Sequence, residues 1–359
     1  MIDDRLVKID GSIGEGGGSI LRLASGFSVL FTRPIEVYNI RSSRSKPGLR
    51  LQHVLGLQAL RDLTDGHLSP VKVGTTKIKF TPGNVFRDEL NIKIRTAGSI
   101  ALLSQSIQNA AIFTNNSSEL DINYTGGGTF GLGAPDPYYL NNITYYFFSK
   151  MGYKCQIDVL KNGFYPKGGA KARLHIDPLE KDKDQLTPVN FEEQGNLIKI
   201  GGDIIVSHNL KKPKVAERIH NGIVKEMAKF VSQVKFDIHR KYINSLNPGV
   251  GLNIWAQYDS GAVVSSGTIL GKRGLPSEKL ARIASRALIE PMQCGATVDE
   301  YLGDQIIPLL YLCEEPSSIM VSKISSHMQT NLDLLDMFSK RKYEIKKIGK
   351  AFRFRYFEQ

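Results

Sequence analysis

The chain has 359 residues, a net charge of +12 and an isoelectric point near 9.4. Its 41% hydrophobic and 23% charged residues are ordinary for a globular protein and exclude a mainly disordered chain. No apolar run of about 18 residues occurs, and residues 1–5 show no signal-peptide core, so we expect a cytoplasmic protein with no membrane partner. The three cysteines are widely spaced, which favours free thiols over a zinc cluster or a disulfide framework.

Glycine-rich segments come before or within apolar helical patterns, and short strand-like runs lie between them. The segments are residues 14–18, 98–99, 126–133 and 166–169. This alternation indicates an α/β or α+β architecture with a repeated module. A charged, proline-flanked stretch at 178–188 predicts a linker, after which the pattern changes. We therefore predict a large domain, residues 1–185 and 286–359, interrupted by a smaller α/β domain at 186–285.

The first candidate site is Gly-Glu-Gly-Gly-Gly at residues 14–18, which precedes an apolar helical pattern. Successive glycines let a backbone approach a ligand closely, and a helix that starts after them directs free N–H groups toward a phosphate. The segment lacks the lysine of a Walker A loop, and Ser19 stands where a dinucleotide fingerprint needs its third glycine. A tight turn before a buried helix is the alternative interpretation.

A second candidate is the cationic segment at residues 41–53, which carries Arg41, Arg44, Lys46 and Arg50. Arginine forks bind phosphate oxygens in pairs, which favours an anionic ligand. A solvated loop is the alternative, because loops are commonly charged.

A third candidate begins at Thr297, which forms a capping-box pattern with Glu300 and predicts a helix from about Val298. The side chains that then share one helix face are Tyr301, Asp304 and Gln305. Pro308 lacks the N–H that would meet the carbonyl of Asp304, so this polar face lies beside a broken helix bond. An ordinary amphipathic helix is the alternative.

His327 is the histidine best placed for chemistry, because residues 325–331 lead into an apolar helical pattern at 332–338. The positive end of a helix dipole favours a neutral, nucleophilic imidazole. A structural histidine is the alternative interpretation.

The basic C-terminus is a further feature. Residues 340–359 carry eight lysines and arginines against two glutamates, which is half of the net charge. Aromatic residues alternate with cations at 352–356, as in a strand with one apolar face. The surplus charge favours a nucleic acid or another polyanion, and a basic edge strand that blocks pairing is the alternative.

Together with Phe-Tyr-Pro-Lys-Gly-Gly at 164–169, these segments resemble the motifs of the RNA 3′-terminal phosphate cyclase family, and they occur in the same order. Residues 14–22 are similar to its EGGGQ-[IL]-LR motif, with Ser19 in place of glutamine. Residues 300–305 resemble its EYLADQ motif, and residues 326–331 resemble the SHLxTN motif that bears the catalytic histidine.

The resemblance implies a large domain of repeated βαβαββ-like units with an inserted smaller α/β domain. It also implies ATP-dependent conversion of an RNA 3′-phosphate to a 2′,3′-cyclic phosphodiester, through a histidine–AMP intermediate and an RNA–adenylate anhydride. His327 would be the nucleophile, and Glu15 would bind Mg²⁺ or Mn²⁺. The implied ATP contacts are Gln105, Tyr301, Leu302, Gly303, Asp304 and Gln305. The implied contacts to RNA or phosphate are Arg22, Arg41, Arg44 and Gln52.

Two other classes of protein share features of this pattern. A non-catalytic relative in ribosome biogenesis would bind RNA but lacks the histidine equivalent to His327. An enolpyruvyl transferase uses similar repeats and would need a small anionic substrate.

Overall fold

Three βαβαββ units form most of the computed structural model, which describes residues 6–115 and 118–358. The first unit consists of β1 (Val7–Asp10), α1 (Ser19–Leu30), β2 (Ile35–Tyr38), α2 (Leu51–Thr64), β3 (His67–Leu68) and β4 (Ile78–Thr81). Its sheet has the order β1-β2-β4-β3, with β1 parallel to β2 and the other neighbours antiparallel.

The second unit repeats this order with longer strands. It consists of β5 (Glu89–Ser99), α3 (Ile100–Ala110), the short strand β6 (Phe113–Thr114), β7 (Leu120–Gly128), α4 (Pro137–Tyr139), a π-helical segment (Leu140–Thr144), α5 (Tyr145–Lys150), β8 (Lys154–Lys161) and β9 (Lys171–Asp177). Its main sheet has the order β5-β7-β9-β8, and a short strand β10 (Leu179–Glu180) pairs with β6.

The third unit begins at β11 (Asn190–Phe191), and a smaller α/β layer follows before the unit continues. This inserted layer consists of β12 (Leu197–Ser207), a 3₁₀ turn (His208–Leu210), α6 (Val215–Met227), β13 (Lys235–Ile243), β14 (Val250–Tyr258), β15 (Val263–Ser265), β16 (Ile269–Leu270) and α7 (Ser277–Gln293). Its sheet has the order β13-β12-β14-β15, with β16 also paired to β14.

The third unit then continues with α8 (Glu300–Leu312), β17 (Ser317–Val321), α9 (Ser326–Phe338), β18 (Tyr343–Ile348) and β19 (Ala351–Tyr356). Its sheet order, β11-β17-β19-β18, matches that of the first two units. The α/β class and the repeated βαβαββ units are therefore confirmed.

Most buried apolar side chains fall into two cores. The larger core packs the three units together and includes Leu186 and Val189. The smaller core lies between the inserted sheet and its two helices and extends from Ile200 to Ala296. The division at residues 186 and 285 stays a prediction, and from this packing we propose boundaries nearer residues 195 and 296.

Two helices begin at residues other than those predicted from the sequence. Thr297 does not cap α8, because its hydroxyl donates to the Phe191 carbonyl and accepts from the Met320 backbone N–H. Asp299 is the cap instead, and its carboxylate accepts from two backbone N–H groups of the first turn. Helix α9 begins at Ser326, so His327 lies within its first turn rather than before it.

The basic C-terminal segment forms β18 and β19, and the alternation of aromatic and cationic residues marks β19 as predicted. Phe354 and Tyr356 are buried in the larger core. Strand β19 lies between β17 and β18, so the edge strand is β18 and not the strand that carries Arg353. Arg353 forms ion pairs with Glu344 and Glu192.

No helix within residues 6–115 and 118–358 combines the length and the apolar character that a bilayer crossing requires. Residues 1–5, on which the expectation about a signal peptide rests, lie outside the described residues.

Gly26 of α1 allows close packing against α3, because a Cβ there would lie 2.8 Å from the Ser106 carbonyl oxygen. We predict that Gly26→Ala lowers the free energy of unfolding by about 1–2 kcal/mol, since the overlap outweighs the gain in helix propensity. Gly56 of α2 is the matched control, because its added Cβ would meet its nearest neighbour at 3.6 Å. Gly56→Ala should raise stability by up to about 1 kcal/mol. Urea unfolding measures both changes in the free energy of unfolding. Equal changes of the same sign in the two variants would contradict this role of Gly26.

Candidate active site

A cavity of about 350 Å³ lies where the N-terminal turns of α1, α3, α8 and α9 meet. Its wall includes six of the residues predicted from the sequence, namely Arg22, Gln105, Tyr301, Asp304, Gln305 and His327. The N-terminal turn of a helix carries free N–H groups and the positive end of the helix dipole. Side chains cap α3, α8 and α9, whereas α1 has no side-chain cap. The dipoles of the four turns and the uncapped start of α1 therefore favour an anionic ligand such as a phosphate chain.

The glycine-rich loop at 14–18 packs on the first turn of α9, next to the cavity wall formed by Ser19 and His327. The Glu15 carboxylate accepts a hydrogen bond of 2.6 Å from the Ser326 hydroxyl, and its second oxygen lies 3.6 Å from His327 Nε2. Gly14 has a φ of 59°, and a Cβ there would lie 2.5 Å from Thr330 Oγ1. Only glycine suits both the left-handed backbone and this close approach.

Glu15 is the carboxylate beside the histidine. The hydrogen bond from Ser326 lowers the pKa of Glu15 most, and the neighbouring His327 and Arg44 lower it further. Arg44 also donates to the Glu15 carbonyl oxygen at 3.1 Å, so the cationic segment holds the loop in place. Glu15 therefore presents an ionised oxygen donor at neutral pH.

The residues around Glu15 supply few ligands for a divalent cation. Among residues 6–115 and 118–358, no cluster of three or more histidine, cysteine, aspartate or glutamate side chains could hold a metal ion. Mg²⁺ is commonly held by one or two carboxylates together with substrate phosphates and water, so one carboxylate next to an anion-binding cavity is compatible with it.

Arg22 supplies positive charge inside the cavity. Its Nε donates to the Gln105 side-chain oxygen at 3.3 Å, and within the described chain it forms no ion pair with a carboxylate. Burial lowers the pKa of Arg22 to about 10, so the guanidinium is still charged at neutral pH. A half-buried cation that lacks a carboxylate partner is suited to a phosphate oxygen of a ligand.

Arg41 and Gln52 lie outside the main cavity. Arg41 Nη1 donates to the carbonyl oxygens of Lys46 and Gly48, so it braces its own loop. Gln52 lies near the start of α2, on a small neighbouring cleft that also includes Arg22. Their contacts with RNA stay predictions.

In the first turn of α8, some residues face the cavity and others face the core. The Tyr301 ring packs against Gly267 and is about half exposed. Leu302 is fully buried in the larger core, and Gly303 packs against Val321. Leu302 and Gly303 therefore offer no side chain to the cavity, and their predicted contact with ATP stays a prediction.

The second turn of α8 is tied to α9. As Pro308 has no N–H, the Asp304 carbonyl is free to accept from the Asn331 side-chain amide. The Gln305 amide is held between the Thr144 hydroxyl and the Tyr301 carbonyl. These bonds fix the polar face of α8 that the sequence indicates.

Several cavity residues were not predicted as site residues from the sequence. They are Ser19, Leu23, Ala101, Leu102, Gln108, Gly133, Ala134, Pro135, Tyr139, Gly267, Thr268 and Asn331. Asn331 ends the motif at 326–331, and Gly133 lies in a glycine-rich segment, so both carry a local signal. Thr268 comes from the loop between β15 and β16, and no local pattern links that loop to the histidine.

Asp304 is a cavity carboxyl group with a perturbed titration. Burial raises the pKa of Asp304 to about 7, and the charges of Glu300 and Asp299 add to this effect while the hydrogen bond from Ser325 opposes it. The group should therefore exchange a proton near neutral pH.

In the unfolded chain, the pKa of an aspartate is about 3.9, which is lower than the pKa of Asp304 in the folded protein. The protonated carboxyl group therefore contributes fully to the free energy of unfolding below about pH 4, and this contribution is lost as the pH rises to about 7. We predict that Asp304→Asn removes this loss, so the variant gains on the order of 1–3 kcal/mol relative to the parent between about pH 4 and 8. Urea unfolding across that range measures the difference. If the free energies of unfolding of variant and parent differed by the same amount at every pH, the raised pKa of Asp304 would be contradicted.

Comparison with known proteins agrees with the geometry. Residues 13–345 match the family model described as RNA 3′-terminal phosphate cyclase. The chain is 36% identical over 340 residues to the RNA 3′-terminal phosphate cyclase of Thermococcus gammatolerans, which covers 94% of each chain. It is 36% identical over 346 residues to that of Thermococcus kodakarensis and 33% identical over 346 residues to that of Methanopyrus kandleri, with 96% and 95% of each chain covered. The chain therefore belongs to the RNA 3′-terminal phosphate cyclase family.

Proposed function

We propose that this protein converts an RNA 3′-phosphate end into a 2′,3′-cyclic phosphodiester at the expense of ATP, with His327 as the nucleophile. One observation carries the proposal. The His327 side chain is 45% exposed and opens onto an anion-binding cavity that contains Arg22. Its place in the first turn of α9 puts the imidazole at the positive end of that helix dipole, which favours a phosphate nearby.

In the first step, His327 Nε2 attacks the α-phosphorus of ATP. An N–P bond forms, the bond from the α-phosphorus to the bridging oxygen breaks, and pyrophosphate leaves with that oxygen. Covalent catalysis of this kind divides one difficult condensation into easier transfers. Arg22 neutralises charge on the phosphate chain, and Gln105 positions the guanidinium through their hydrogen bond.

The adenine would be held by Tyr301. One side of its ring packs on Gly267, and the half-exposed remainder faces the cavity, which suits stacking with a flat base. Asp304 and Gln305 lie on the same helix face and offer polar partners to the nucleotide. Glu15 would hold Mg²⁺ or Mn²⁺, which would offset the negative charge that develops on the departing pyrophosphate.

In the second step, an oxygen of the RNA 3′-phosphate attacks the phosphorus of the histidine-bound AMP. The N–P bond breaks, and an RNA–adenylate anhydride forms. In the third step, the neighbouring 2′-hydroxyl attacks the RNA phosphorus, releases its proton and expels AMP, which closes the cyclic phosphodiester. This last transfer depends mainly on holding the hydroxyl and the phosphorus in line.

The two other classes considered from the sequence receive less support. The non-catalytic relative lacks the histidine, whereas this chain has His327 exposed on the cavity wall. The family match extends over residues 13–345 and concerns the cyclase family rather than an enolpyruvyl transferase.

We predict that the protein mixed with α-labelled ATP and Mg²⁺ acquires one adenylate, which is labile to acid and stable to base because it is a phosphoramidate. His327→Ala should abolish this label and the cyclisation of a 3′-phosphate RNA. The same variant should still close a pre-adenylated RNA end at a measurable rate, since that step needs no histidine nucleophile.

The matched control is His220→Ala, which changes a partly exposed histidine of α6 outside the cavity and should keep full labelling. Thermal unfolding of each variant establishes that the protein is folded. Full labelling of a folded His327→Ala protein would falsify the mechanism.

A second prediction concerns Glu15. We expect Glu15→Gln to raise the Mg²⁺ concentration for half-maximal self-adenylation about tenfold, a loss of about 1.4 kcal/mol, because the amide keeps an acceptor for Ser326 but not the charge. Glu300→Gln is the control, since that carboxylate pairs with Lys323 at the start of α8. An unchanged metal dependence in Glu15→Gln would assign Glu15 to loop positioning alone.

A further inference from the structure

We propose that the RNA strand preceding the 3′-terminal nucleotide binds to a surface of the inserted layer and the second unit, which we call the basic platform. This inference rests on the proposed function, because it assumes that the RNA end occupies the cavity. The platform consists of five loop segments, residues 130–135, 164–168, 207–214, 243–250 and 268–275.

Ring and backbone contacts join these five segments into one surface. The rings of Phe130 and Phe164 stack with centroids 5.4 Å apart, and they lie against Gly251 and Gly249. The backbone contacts that complete the surface are Lys167 N–H to the Asn247 side-chain oxygen at 3.0 Å, Ser207 N–H to the Gly249 carbonyl at 2.9 Å and Gly271 N–H to the Val250 carbonyl at 2.9 Å. The loops therefore meet at one end of the inserted sheet.

The basic platform carries positive charge without compensation. Its cations are Lys167, Lys211, Lys212, Lys214, Lys272 and Arg273, and all six are exposed. The five segments contain no aspartate or glutamate. Within residues 6–115 and 118–358, none of the six forms an ion pair, whereas many other surface cations do. Such a surface attracts a polyanion.

Three exposed, largely apolar side chains belong to the platform segments, namely Leu132, Tyr165 and Leu246. Tyr165 is 79% exposed and Leu132 is 94% exposed, although both belong to loops whose neighbouring phenylalanines are buried. A combination of exposed aromatic rings and unpaired cations is typical of surfaces that bind single-stranded nucleic acid, because bases stack on the ring while phosphates meet the charges.

The basic platform is continuous with the candidate active site. Gly133, Pro135 and Thr268 belong to both the platform segments and the cavity wall. The two loops are joined there, since the Asp136 backbone N–H donates to the Thr268 hydroxyl at 2.8 Å. Lys272 follows Thr268 by four residues, so their Cα atoms are at most about 14 Å apart. An RNA strand that leaves the cavity by this side meets the platform directly.

The test compares Lys272→Ser/Arg273→Ser and Tyr165→Ala with a charge-matched control, Lys225→Ser/Lys235→Ser. The two control lysines are exposed and form no ion pair with any residue that the structure describes. Lys235 is the first residue of β13, at the end of the inserted sheet away from Ile243 and the platform. Fluorescence anisotropy measures the affinity for 3′-phosphate and 3′-hydroxyl RNA of about 3 and about 12 nucleotides, a range that spans common single-strand site sizes.

We expect both platform variants to bind the longer RNA about tenfold more weakly, because one variant lacks a ring for base stacking and the other lacks two cations for phosphates. The slope of log affinity against log salt concentration should become shallower by about 1.4 in the double variant. This is about 0.7 for each of the two phosphates that the variant no longer neutralises. Affinity for the shorter RNA and self-adenylation by ATP should stay within about twofold of the parent, because neither requires the platform.

Equal affinity of the platform variants and the control for the longer RNA would overturn the inference. Binding of phosphatidylserine vesicles, together with RNA affinity that the variants do not change, would assign the surface to membranes and overturn it as well. Failure of the proposed function would appear separately, as a parent protein that ATP does not adenylate, while the effect of the platform on 3′-hydroxyl RNA would persist.

Discussion

The contact between the glycine-rich loop and the first turn of α9 is the constraint on which the site depends. It joins Glu15 to Ser326 across 311 residues of sequence and therefore ties the first unit to the third. Gly14 makes the approach possible, because any side chain there would overlap Thr330. Without this contact, His327 would stand on a helix with no loop beside it, and Glu15 and Arg44 would lose their positions relative to the imidazole.

The repetition of one unit explains why the cavity favours phosphates. In each unit, a helix follows the first or second strand, so the three units bring several helix N-termini to one place. Each terminus stabilises a nearby negative charge by about 0.3–1 kcal/mol, and four of them together contribute on the order of 1–4 kcal/mol. Arg22 adds a full charge in a half-buried position. The partly buried cavity strengthens both interactions relative to bulk water, because its effective dielectric constant is lower.

Features that depend on local pattern could be predicted from the sequence, and features that depend on tertiary contacts could not. The period of 3.6 residues correctly grouped Tyr301, Asp304 and Gln305, and it also explains why Leu302 faces the core. The capping-box pattern at Thr297 failed because that hydroxyl is engaged by neighbouring strands, which no local rule contains. Thr268 reaches the cavity from the inserted layer, and its place depends on how that layer packs on the second unit.

In the proposed mechanism His327 carries AMP during the reaction, and peptide mapping of the adenylated parent protein tests this central claim most directly. The protein is incubated with ATP and Mg²⁺, digested at alkaline pH to preserve a phosphoramidate, and fragmented by mass spectrometry. We expect an added AMP on the peptide that contains His327, with fragment ions that assign it to the imidazole. An adenylate on a lysine, or on any peptide that lacks His327, would contradict the mechanism.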